Sequence, residues 1–344
     1  MTNHHQESLT TYPKPGPTRE QEQVDEEMMS MQMMNKNSLA FPMVFKAALE
    51  LGVLHTIVAL EEGVWLSPSE IAFGLPTKPT NPEAPMLIDR MLRLLVSHSI
   101  LKCRLVETGE NNRTESTQRD TSEGCDTRRK RCIQFCPWHG TLRIRCTDEQ
   151  FAAIFNQAMS DSSTMIMTKI LEVYKGLKDV NTLVDIGGGL GTILNLVISS
   201  KYPQIKGIKF DLAAVLATAP SYPGVEHVPG DMFIDVPKGD AIFMRRILRD
   251  WNDKDCVKIL TNCWKSLPEK GKVIIVDMVA PSEPKSDDIF SKVVFGTDML
   301  MLTQCSGGKV RSFAQFEALA SASGFHKCEV SGLAYTYSVI EFHK

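Results

Sequence analysis

Apolar runs and helical repeats alternate along the second half of the chain. The apolar runs have the length of buried strands and lie at 183–186, 206–211, 225–228, 240–244 and 272–279. Between them, apolar residues recur with the period of a helix at 192–200, 213–218 and 253–267. Strands that alternate with helices predict an α/β fold, in which a doubly wound, parallel sheet carries helices on both faces. A helix at 313–324 and two closing strands at 327–330 and 335–342 are expected to follow.

The first half of the chain has mainly helical patterns. Apolar residues recur at roughly helical spacing over 28–53, where Pro42 predicts a break and Gly52 a stop. Further along, Ser67 precedes a proline and is followed three residues later by Glu70. This order of residues predicts a capping box at the start of a helix.

A second predicted helix start, near 81–85, leads into an amphipathic stretch at 86–95, and residues 100–103 have the composition of a short strand. Several short helices before a strand indicate a winged-helix-like unit. Units of this kind often bind DNA, but a formal net charge of -3 argues against nucleic acid as a partner. A role in dimerisation is the interpretation that the charge favours.

These patterns divide the chain into a disordered tail over 1–27, an N-terminal dimerisation domain over 28–150 and a cofactor-binding domain over 151–344. Prolines and polar residues dominate the tail. Much of 104–146 is hydrophilic and lacks a period, so we interpret it as a variable insertion in the N-terminal domain. No metal is expected, since the potential ligands lack the paired C-x-x-C spacing of a zinc site: Cys132, Cys136, His139 and Cys146.

The stretch from 183 to 191 carries the strongest functional signal. A short apolar run ends in Asp185-Ile186 and passes through Gly187, Gly189 and Gly191 into a helical segment. Glycines let a backbone approach a ligand closely, and the first N–H groups of the following helix can donate to it. The spacing differs from the G-x-G-x-x-G of a dinucleotide site. The pattern therefore favours a nucleoside-type cofactor, with a purely structural turn as the alternative.

Further polar residues follow the next predicted strands. Asp211 ends the second strand, where its carboxylate is placed to accept from two ribose hydroxyls, and Asp231-Met232 follows the third. A carboxylate and a thioether at that point suit the edge and the face of a purine. Because ligands of an open parallel sheet gather at the carboxyl ends of its strands, these residues favour one nucleoside site.

Composition narrows the class of protein without identifying it. Hydrophobic residues make up 43% and charged residues 23% of the chain, as in ordinary soluble proteins, so a small molecule is the expected partner. No apolar run is long enough to span a bilayer, and the polar start lacks the apolar core of a signal peptide. We therefore expect a cytoplasmic protein, no membrane partner, and nine reduced cysteines.

The second half of the chain resembles the plant small-molecule O-methyltransferases of the caffeic acid and flavonoid type. The resemblance rests on 183–191, 207–212, 219–232, Asp250-Trp251, Gly307-Gly308-Lys309 and the closing Glu341-Phe342-His343-Lys344. The segment 40–103 resembles the dimerisation domain of the same family, and the likeness is weakest over 104–146. The resemblance implies a Rossmann-like methyltransferase sheet, S-adenosylmethionine as cofactor and a homodimer.

The same resemblance implies roles for individual residues. The cofactor contacts it implies are Ser163, Gly187, Asp211, Asp231, Met232 and Arg245, the last at a position where the family usually has lysine. The residues it implies around a small-molecule acceptor are Phe151, Phe155, Met159, Leu300 and Met301.

Three positions depart from the family's catalytic pattern. The family has a histidine base directly before its Asp-Trp pair, where this chain has Arg249. The two glutamates that support the base are replaced by Asp277 and Val310. We therefore take Arg249 and Asp277 as the candidate catalytic residues of a divergent member.

The missing base bears on which acceptor can be methylated. A guanidinium stays protonated, so Arg249 cannot remove a proton but can pair with an anion. One hypothesis is S-methylation of an acceptor already ionised at neutral pH, such as an indole dithiocarbamate. A second is a phenolic O-methyltransferase with a substitute base, such as Asp277 or His139. A third is a weak or inactive homologue that persists as a cofactor-binding or dimerisation partner.

Overall fold

A computed structural model of the chain describes residues 37–59, 64–104, 149–286, 288–305 and 307–344, except for the side chains of 149–159 and 161. Four helices form the first part: α1 (Ala40–Glu50), α2 (Val53–Val58), α3 (Pro68–Gly74) and α4 (Ala84–Ser97). The predicted tail lies outside these residues, as does nearly all of the predicted insertion.

The second part alternates strands and helices, as the apolar pattern predicts. Its first members are α5 (Glu149–Val173), β1 (Thr182–Ile186), α6 (Thr192–Ser200), β2 (Lys206–Asp211), α7 (Ala213–Leu216), β3 (Val225–Pro229) and β4 (Ala241–Arg245). A 3₁₀ helix (Leu248–Asp250) precedes α8 (Asp253–Ser266), β5 (Lys272–Asp277), α9 (Ile289–Gln304), α10 (Phe313–Ala322), β6 (Lys327–Ala334) and β7 (Tyr337–His343).

One seven-stranded sheet organises this part, in the order β3-β2-β1-β4-β5-β7-β6. Strands β1 to β5 are parallel, while β7 is antiparallel to both β5 and β6. The start of β7 therefore meets the carboxyl end of β5, with Asp277 opposite Ser338. The predicted α/β class and doubly wound sheet are confirmed, with β7 as the one reversed strand of the sheet, next to the edge strand β6.

Apolar side chains cover both faces of the sheet. One core cluster joins the strands to α5, α6 and α9, and includes Ile170, Leu194 and Val293. The other joins them to α8 and α10, and includes Ile259 and Phe316. Strands buried on both faces explain why their sequences are continuous apolar runs instead of alternating ones.

Helix α9 connects the two parts of the chain. Phe295 and Met299 belong to the apolar cluster of the N-terminal helices, while other residues of α9 lie against the sheet. A buried ion pair reinforces this contact, since Arg90 donates from Nε and Nη2 to the two carboxylate oxygens of Asp298 at 2.7 and 2.9 Å.

Several predicted boundaries are wrong for local reasons. Pro42 does not break the helix, because it lies in the first turn of α1, where a missing N–H costs little. Residues 100–103 form no strand. The predicted strand 272–279 ends at Asp277. The capping box at Ser67 and Glu70 is confirmed.

Candidate functional site

A cavity of about 340 Å³ lies at the carboxyl ends of the parallel strands. Its wall is formed by the turn after β1, the ends of β2 and β4, the segment after β3 and the 3₁₀ helix. The lining residues include Ser163, Gly187, Gly189, Asp211, Asp231, Met232, Phe233, Arg245, Arg246, Asp250 and Trp251. Its volume is within the roughly 300–1,000 Å³ of small-molecule sites.

The turn after β1 depends on its glycines. Gly187, Gly189 and Gly191 have φ values of 67, 54 and 78°, a region that other residues rarely adopt. A Cβ on Gly188 would lie 2.8 Å from Lys209 Cγ, whereas a Cβ on Gly189 would meet nothing within 4 Å. The turn is therefore packed closely underneath and open toward the cavity at Gly189.

Asp211 ties the end of β2 to this turn. Its Oδ2 accepts from the Gly189 N–H at 2.9 Å, and its Oδ1 accepts from the Leu212 N–H at 2.8 Å. A carboxylate offers about four lone-pair sites, so each oxygen keeps accepting capacity beyond these bonds. Asp211 is thus oriented by two backbone donors at the cavity wall, which suits it to accept from hydroxyl groups of a ligand.

The segment after β3 supplies an acid beside an apolar surface. Asp231 Oδ1 accepts from the Phe233 N–H at 2.9 Å, and the Met232 carbonyl accepts from Asn262 Nδ2 at 2.9 Å. The ring of Phe233 packs edge-on against Trp251 with centroids 4.7 Å apart. This part of the wall can contact both the face of a flat ring and a polar edge.

Arg245 ends β4 and is almost wholly buried, at 8% exposure. Its Nη1 donates to Ser163 Oγ at 2.8 Å and its Nη2 to the Ser162 carbonyl at 3.1 Å, both neutral acceptors on α5. Burial is the main cause, and the neighbouring charge of Arg246 the next, of a guanidinium pKa lowered to about 9. The cavity wall thus contains a buried cation that donates to neutral acceptors on α5.

Arg246 occupies an unusual backbone position. Its φ of 58° is in the left-handed region, while its N–H still donates to the Val276 carbonyl at 3.2 Å. The guanidinium bonds to the Tyr337 hydroxyl, with Nε at 2.7 Å and Nη2 as a second donor. Burial alone would raise the pKa of Tyr337, but Arg246, Arg249 and Arg245 together lower it.

Arg249 and Asp277 form a buried ion pair. Arg249 Nε donates to Asp277 Oδ1 at 2.8 Å, Nη2 donates to the same oxygen, and Met278 N–H donates to it as well. Burial opposes the charge of Arg249, but Asp277 outweighs it and the pKa of the guanidinium is raised. In this structure the anion that Arg249 pairs with is the carboxylate of Asp277. The pairing of Arg249 with an acceptor anion stays a prediction.

Val310 has a packing role in the structure. Its side chain is buried in the core cluster on one face of the sheet, and its N–H donates to Asp298 Oδ1 at 2.8 Å. An apolar side chain at this position is therefore accommodated by apolar neighbours.

A second buried pair lies under the glycine turn. Asp185 and Lys209 are opposite each other on β1 and β2, with exposures of 1% and 0%. Burial raises the pKa of Asp185 to about 8, and Asp211 adds to the rise. Burial also lowers the pKa of Lys209, which limits how fully the lysine offsets this carboxylate.

The raised pKa of Asp185 makes stability fall with pH. A folded-state pKa above the unfolded value stabilises the fold fully below about pH 4, and this contribution is lost as the pH rises toward 8. Asp185→Asn should remove this dependence. As the pH rises from 5 to 8, the free energy of unfolding of the variant should increase by about 2–4 kcal/mol relative to that of the wild type. Urea unfolding at both pH values measures it, and parallel curves for the two proteins would contradict it.

The structure brings the predicted cofactor contacts together at the cavity, but not the predicted acceptor residues. All six proposed cofactor contacts line the cavity: Ser163, Gly187, Asp211, Asp231, Met232 and Arg245. The side chains of Phe151, Phe155 and Met159 lie outside the described residues. Leu300 and Met301 are on α9 and do not line the cavity, although Met301 Sδ is 3.8 Å from Cys305 Sγ, which in turn is 3.9 Å from Asp250 Oδ1.

The sequence alone did not identify Arg246, which lines the cavity, or its partner Tyr337. Two consecutive arginines at the end of a predicted strand were the signal that could have pointed to Arg246. Tyr337 gave none, because it is 91 residues away and reaches the site through the strand order.

The cavity lies at the carboxyl edge of a doubly wound sheet, which is where ligands of such sheets bind. Residues 126–326 match the O-methyltransferase domain, and residues 33–118 match the O-methyltransferase dimerisation domain. The chain belongs to the S-adenosylmethionine-dependent O-methyltransferase family.

Known proteins of this family align over most of the chain. Indole glucosinolate O-methyltransferase 4 of Arabidopsis thaliana is 48% identical, covering 93% of this chain and 94% of its own. Caffeic acid 3-O-methyltransferase 1 of Populus tremuloides is 41% identical, covering 93% and 95%. The crystal structure of human N-acetylserotonin methyltransferase in complex with SAM shares the fold, with a TM-score of 0.55, 18% identity and coverage of 96% and 99%.

Among the helices that the structure describes, none is both long and apolar enough to cross a bilayer.

Proposed function

We propose that the chain binds S-adenosylmethionine in this cavity and methylates a small indolic acceptor whose reacting atom, a sulfur, is already ionised at neutral pH. The observation that carries the choice of acceptor is the closed ion pair between Arg249 and Asp277. The indolic character is supported by the indole glucosinolate O-methyltransferases among the relatives. Homodimerisation belongs to the same proposal.

The described residues fit the cofactor. Asp211 is held by two backbone N–H groups at the cavity wall, where its carboxylate can accept from ribose hydroxyls, and Gly189 is open to the cavity. Met232 and Phe233 offer apolar contact for a purine, with Asp231 beside them. Ser163 and Arg245 close the wall from α5 and β4. When bound, S-adenosylmethionine supplies a methyl group on a sulfonium, which an aligned lone pair attacks without help from a metal.

The charge state of the reacting atom decides which acceptors can use such a site. A phenol with the pKa of tyrosine is about 0.1% ionised at pH 7, a deficit of roughly 4 kcal/mol. A positioned base typically contributes about 10²–10⁴-fold, which is comparable to that deficit. Arg249 cannot act as this base, and Asp277 Oδ1 already accepts from Arg249 and from Met278. A thiolate-type sulfur needs no proton removed, so it avoids the deficit.

A second candidate is a cofactor-binding partner without catalytic activity. The Arg249–Asp277 pair favours it too, because both side chains satisfy each other and neither needs a substrate. Apolar side chains on and beside the N-terminal helices are exposed as an interaction surface would be, including Leu39 at 71% and Val58 and Phe73 at 80%. These residues lie within the segment 33–118, which matches the dimerisation domain. A surface for pairing of subunits is compatible with both candidate functions.

Two measurements separate the possibilities. Calorimetry with S-adenosylhomocysteine tests the cofactor site, and no binding would overturn both candidates. Transfer of a labelled methyl group is then followed with an indole dithiocarbamate, an indole thiol and a hydroxyindole. Turnover of the sulfur acceptors supports the first candidate. Binding of the cofactor with no turnover of any acceptor supports the second, and preference for the hydroxyindole contradicts the proposed acceptor class.

A further inference from the structure

The 3₁₀ helix on the cavity wall takes its hydrogen-bond donors from a distant part of the chain. Asp250 and Trp251 line the cavity, and the ring of Trp251 packs against Phe233. A helix of three residues leaves most of its carbonyl groups without a partner inside the helix. Residues 307–311 supply donors to them. We call 307–311 the clamp loop and 248–253 the wall segment.

Arg311 makes the main contact between the clamp loop and the wall segment. It is buried, at 1% exposure. Its Nη1 donates to the Leu248 carbonyl at 2.6 Å and its Nη2 to the Trp251 carbonyl at 2.8 Å. Nε and Nη2 also donate to Asp253 Oδ1, at 3.0 and 2.8 Å. One planar guanidinium thus holds the start of the 3₁₀ helix, the residue after its end and the first residue of α8.

The backbone of the clamp loop lies directly against the wall segment. The Lys309 N–H donates to the Arg249 carbonyl at 2.9 Å. A Cβ on Gly308 would lie 2.8 Å from that carbonyl oxygen, and a Cβ on Gly307 would lie 2.7 Å from Asn252 Cβ. Because neither glycine has room for a side chain, a shift of the loop is transmitted to the wall segment.

The N-terminal helices are bonded to the same loop. Arg90 on α4 donates from Nη2 to the Gly308 carbonyl at 3.1 Å, in addition to its ion pair with Asp298. Asp298 on α9 accepts from the Val310 N–H at 2.8 Å. Arg90 and Asp298 are both buried, which strengthens these bonds. A continuous set of bonds therefore leads from α4 through the clamp loop to the cavity wall.

We propose that Arg311 is a positioning residue of the cofactor site, which holds Asp250 and Trp251 in the cavity wall. Through the same loop, Arg90 joins the N-terminal helices to the cavity. The inference rests on the proposed function, because it takes the cavity to be the S-adenosylmethionine site. Trp251 packs against Phe233 and so belongs to the part of the wall assigned to the purine. Release of the wall segment should therefore weaken every ligand that carries the purine, although Arg311 does not itself line the cavity.

Arg311→Lys tests the positioning role. Lysine keeps the charge beside Asp253, but one ammonium cannot replace a planar fork that reaches two carbonyl groups and a carboxylate. Calorimetry should show that S-adenosylhomocysteine is bound about 5- to 20-fold more weakly than by the wild type. Methylthioadenosine, which has the purine and lacks the amino acid, should be weakened by the same factor. If Arg311 only stabilised the fold, the variant would unfold at lower urea and keep both affinities.

Asp253→Asn is the matched variant, because it removes the charged partner of Arg311 and leaves the bonds to the Leu248 and Trp251 carbonyls. Urea unfolding should show a loss of stability. The affinity for S-adenosylhomocysteine should fall by no more than about twofold, since the wall segment is still held.

Arg90→Lys tests the link to the N-terminal helices. It keeps a charge beside Asp298 and loses the bond to the Gly308 carbonyl, so the affinity for S-adenosylhomocysteine should fall about 3- to 10-fold. In Arg90→Lys/Arg311→Lys the loss should be smaller than the product of the two single losses, because both arginines act through one loop.

Arg93→Lys is the control for Arg90, on the same helix. Arg93 also pairs with a carboxylate and donates to a backbone carbonyl, but these belong to Asp89 and Ser282. Its replacement should leave the affinity for S-adenosylhomocysteine within about twofold of the wild type.

Three results would overturn the inference. Wild-type affinities in Arg311→Lys would show that the clamp loop does not position the wall. An equal loss of affinity in Asp253→Asn would assign the effect to the ion pair instead of the carbonyl bonds. Single losses that multiply in the double variant would remove the link through Arg90. Failure of the wild type to bind S-adenosylhomocysteine would instead defeat the proposed function itself.

Discussion

Asp211→Asn should weaken the binding of S-adenosylhomocysteine by at least about 100-fold, since hydrogen bonds to charged groups contribute roughly 1.5–3 kcal/mol each. The two carboxylate oxygens accept from the N–H groups of Gly189 and Leu212. The amide of asparagine would turn its NH₂ toward one of these donors, so the side chain would rotate and the turn would lose its tie to β2. Two ligand hydroxyls would also lose a charged acceptor. Calorimetry measures the loss directly.

Asp240→Asn is the matched control for this substitution. Asp240 Oδ2 also accepts from two backbone N–H groups, those of Asn181 at 3.0 Å and Thr182 at 2.9 Å, but it lies at the opposite edge of the sheet. Its replacement should lower stability without changing the affinity for the cofactor. If Asp211→Asn bound S-adenosylhomocysteine within about twofold of the Asp240 variant, the cofactor site would be elsewhere.

Asp277→Asn should lower the free energy of unfolding by about 3–5 kcal/mol, because it leaves the buried guanidinium of Arg249 without a charged partner. The double variant Arg249→Met/Asp277→Asn should recover most of this loss, since it removes the orphaned charge and keeps an oxygen for the Met278 N–H. Urea unfolding of the wild type, the single variant and the double variant measures both effects.

Glu226→Gln provides the comparison with an exposed ion pair. Glu226 pairs with Lys206 at 2.8 Å, and both side chains are more than half exposed. Its loss should cost less than about 1 kcal/mol. Equal stabilities for Asp277→Asn and Glu226→Gln would mean that Arg249 and Asp277 do not form an ion pair in solution. Asp277 would then again be a candidate for the catalytic base.

The fold could be predicted from the sequence because its signals are local. Each strand of the parallel sheet is a short apolar run, and each acid that follows a strand lies at the carboxyl edge once the strands are parallel. Gly187, Asp211 and Asp231 could therefore be grouped without knowing any long-range contact. The break predicted at Pro42 and the strand predicted at 100–103 were wrong, and both lie in the N-terminal part. Pro42 lies in the first turn of α1, where a missing N–H costs little.

The contact between Arg246 and Tyr337 and the buried ion pairs could not be predicted in this way, since they depend on which elements become neighbours. Tyr337 meets Arg246 because β7 inserts beside β5 in reverse direction, and Arg90 meets Asp298 across 208 residues. The sequence did identify Arg249 and Asp277 as unusual, but it assigned Arg249 an anionic ligand. Only the structure pairs these two residues with each other.

The central claim is that this cavity methylates acceptors that arrive already ionised. The most direct measurement compares the rate of labelled methyl transfer to an indole dithiocarbamate and to a hydroxyindole of the same ring system between pH 6 and pH 9. We expect the dithiocarbamate to react faster throughout, with a rate nearly independent of pH, and the hydroxyindole to react slowly, with a rate that rises about tenfold per pH unit as its hydroxyl ionises. A hydroxyindole rate that equals or exceeds the dithiocarbamate rate at pH 7 would contradict the claim.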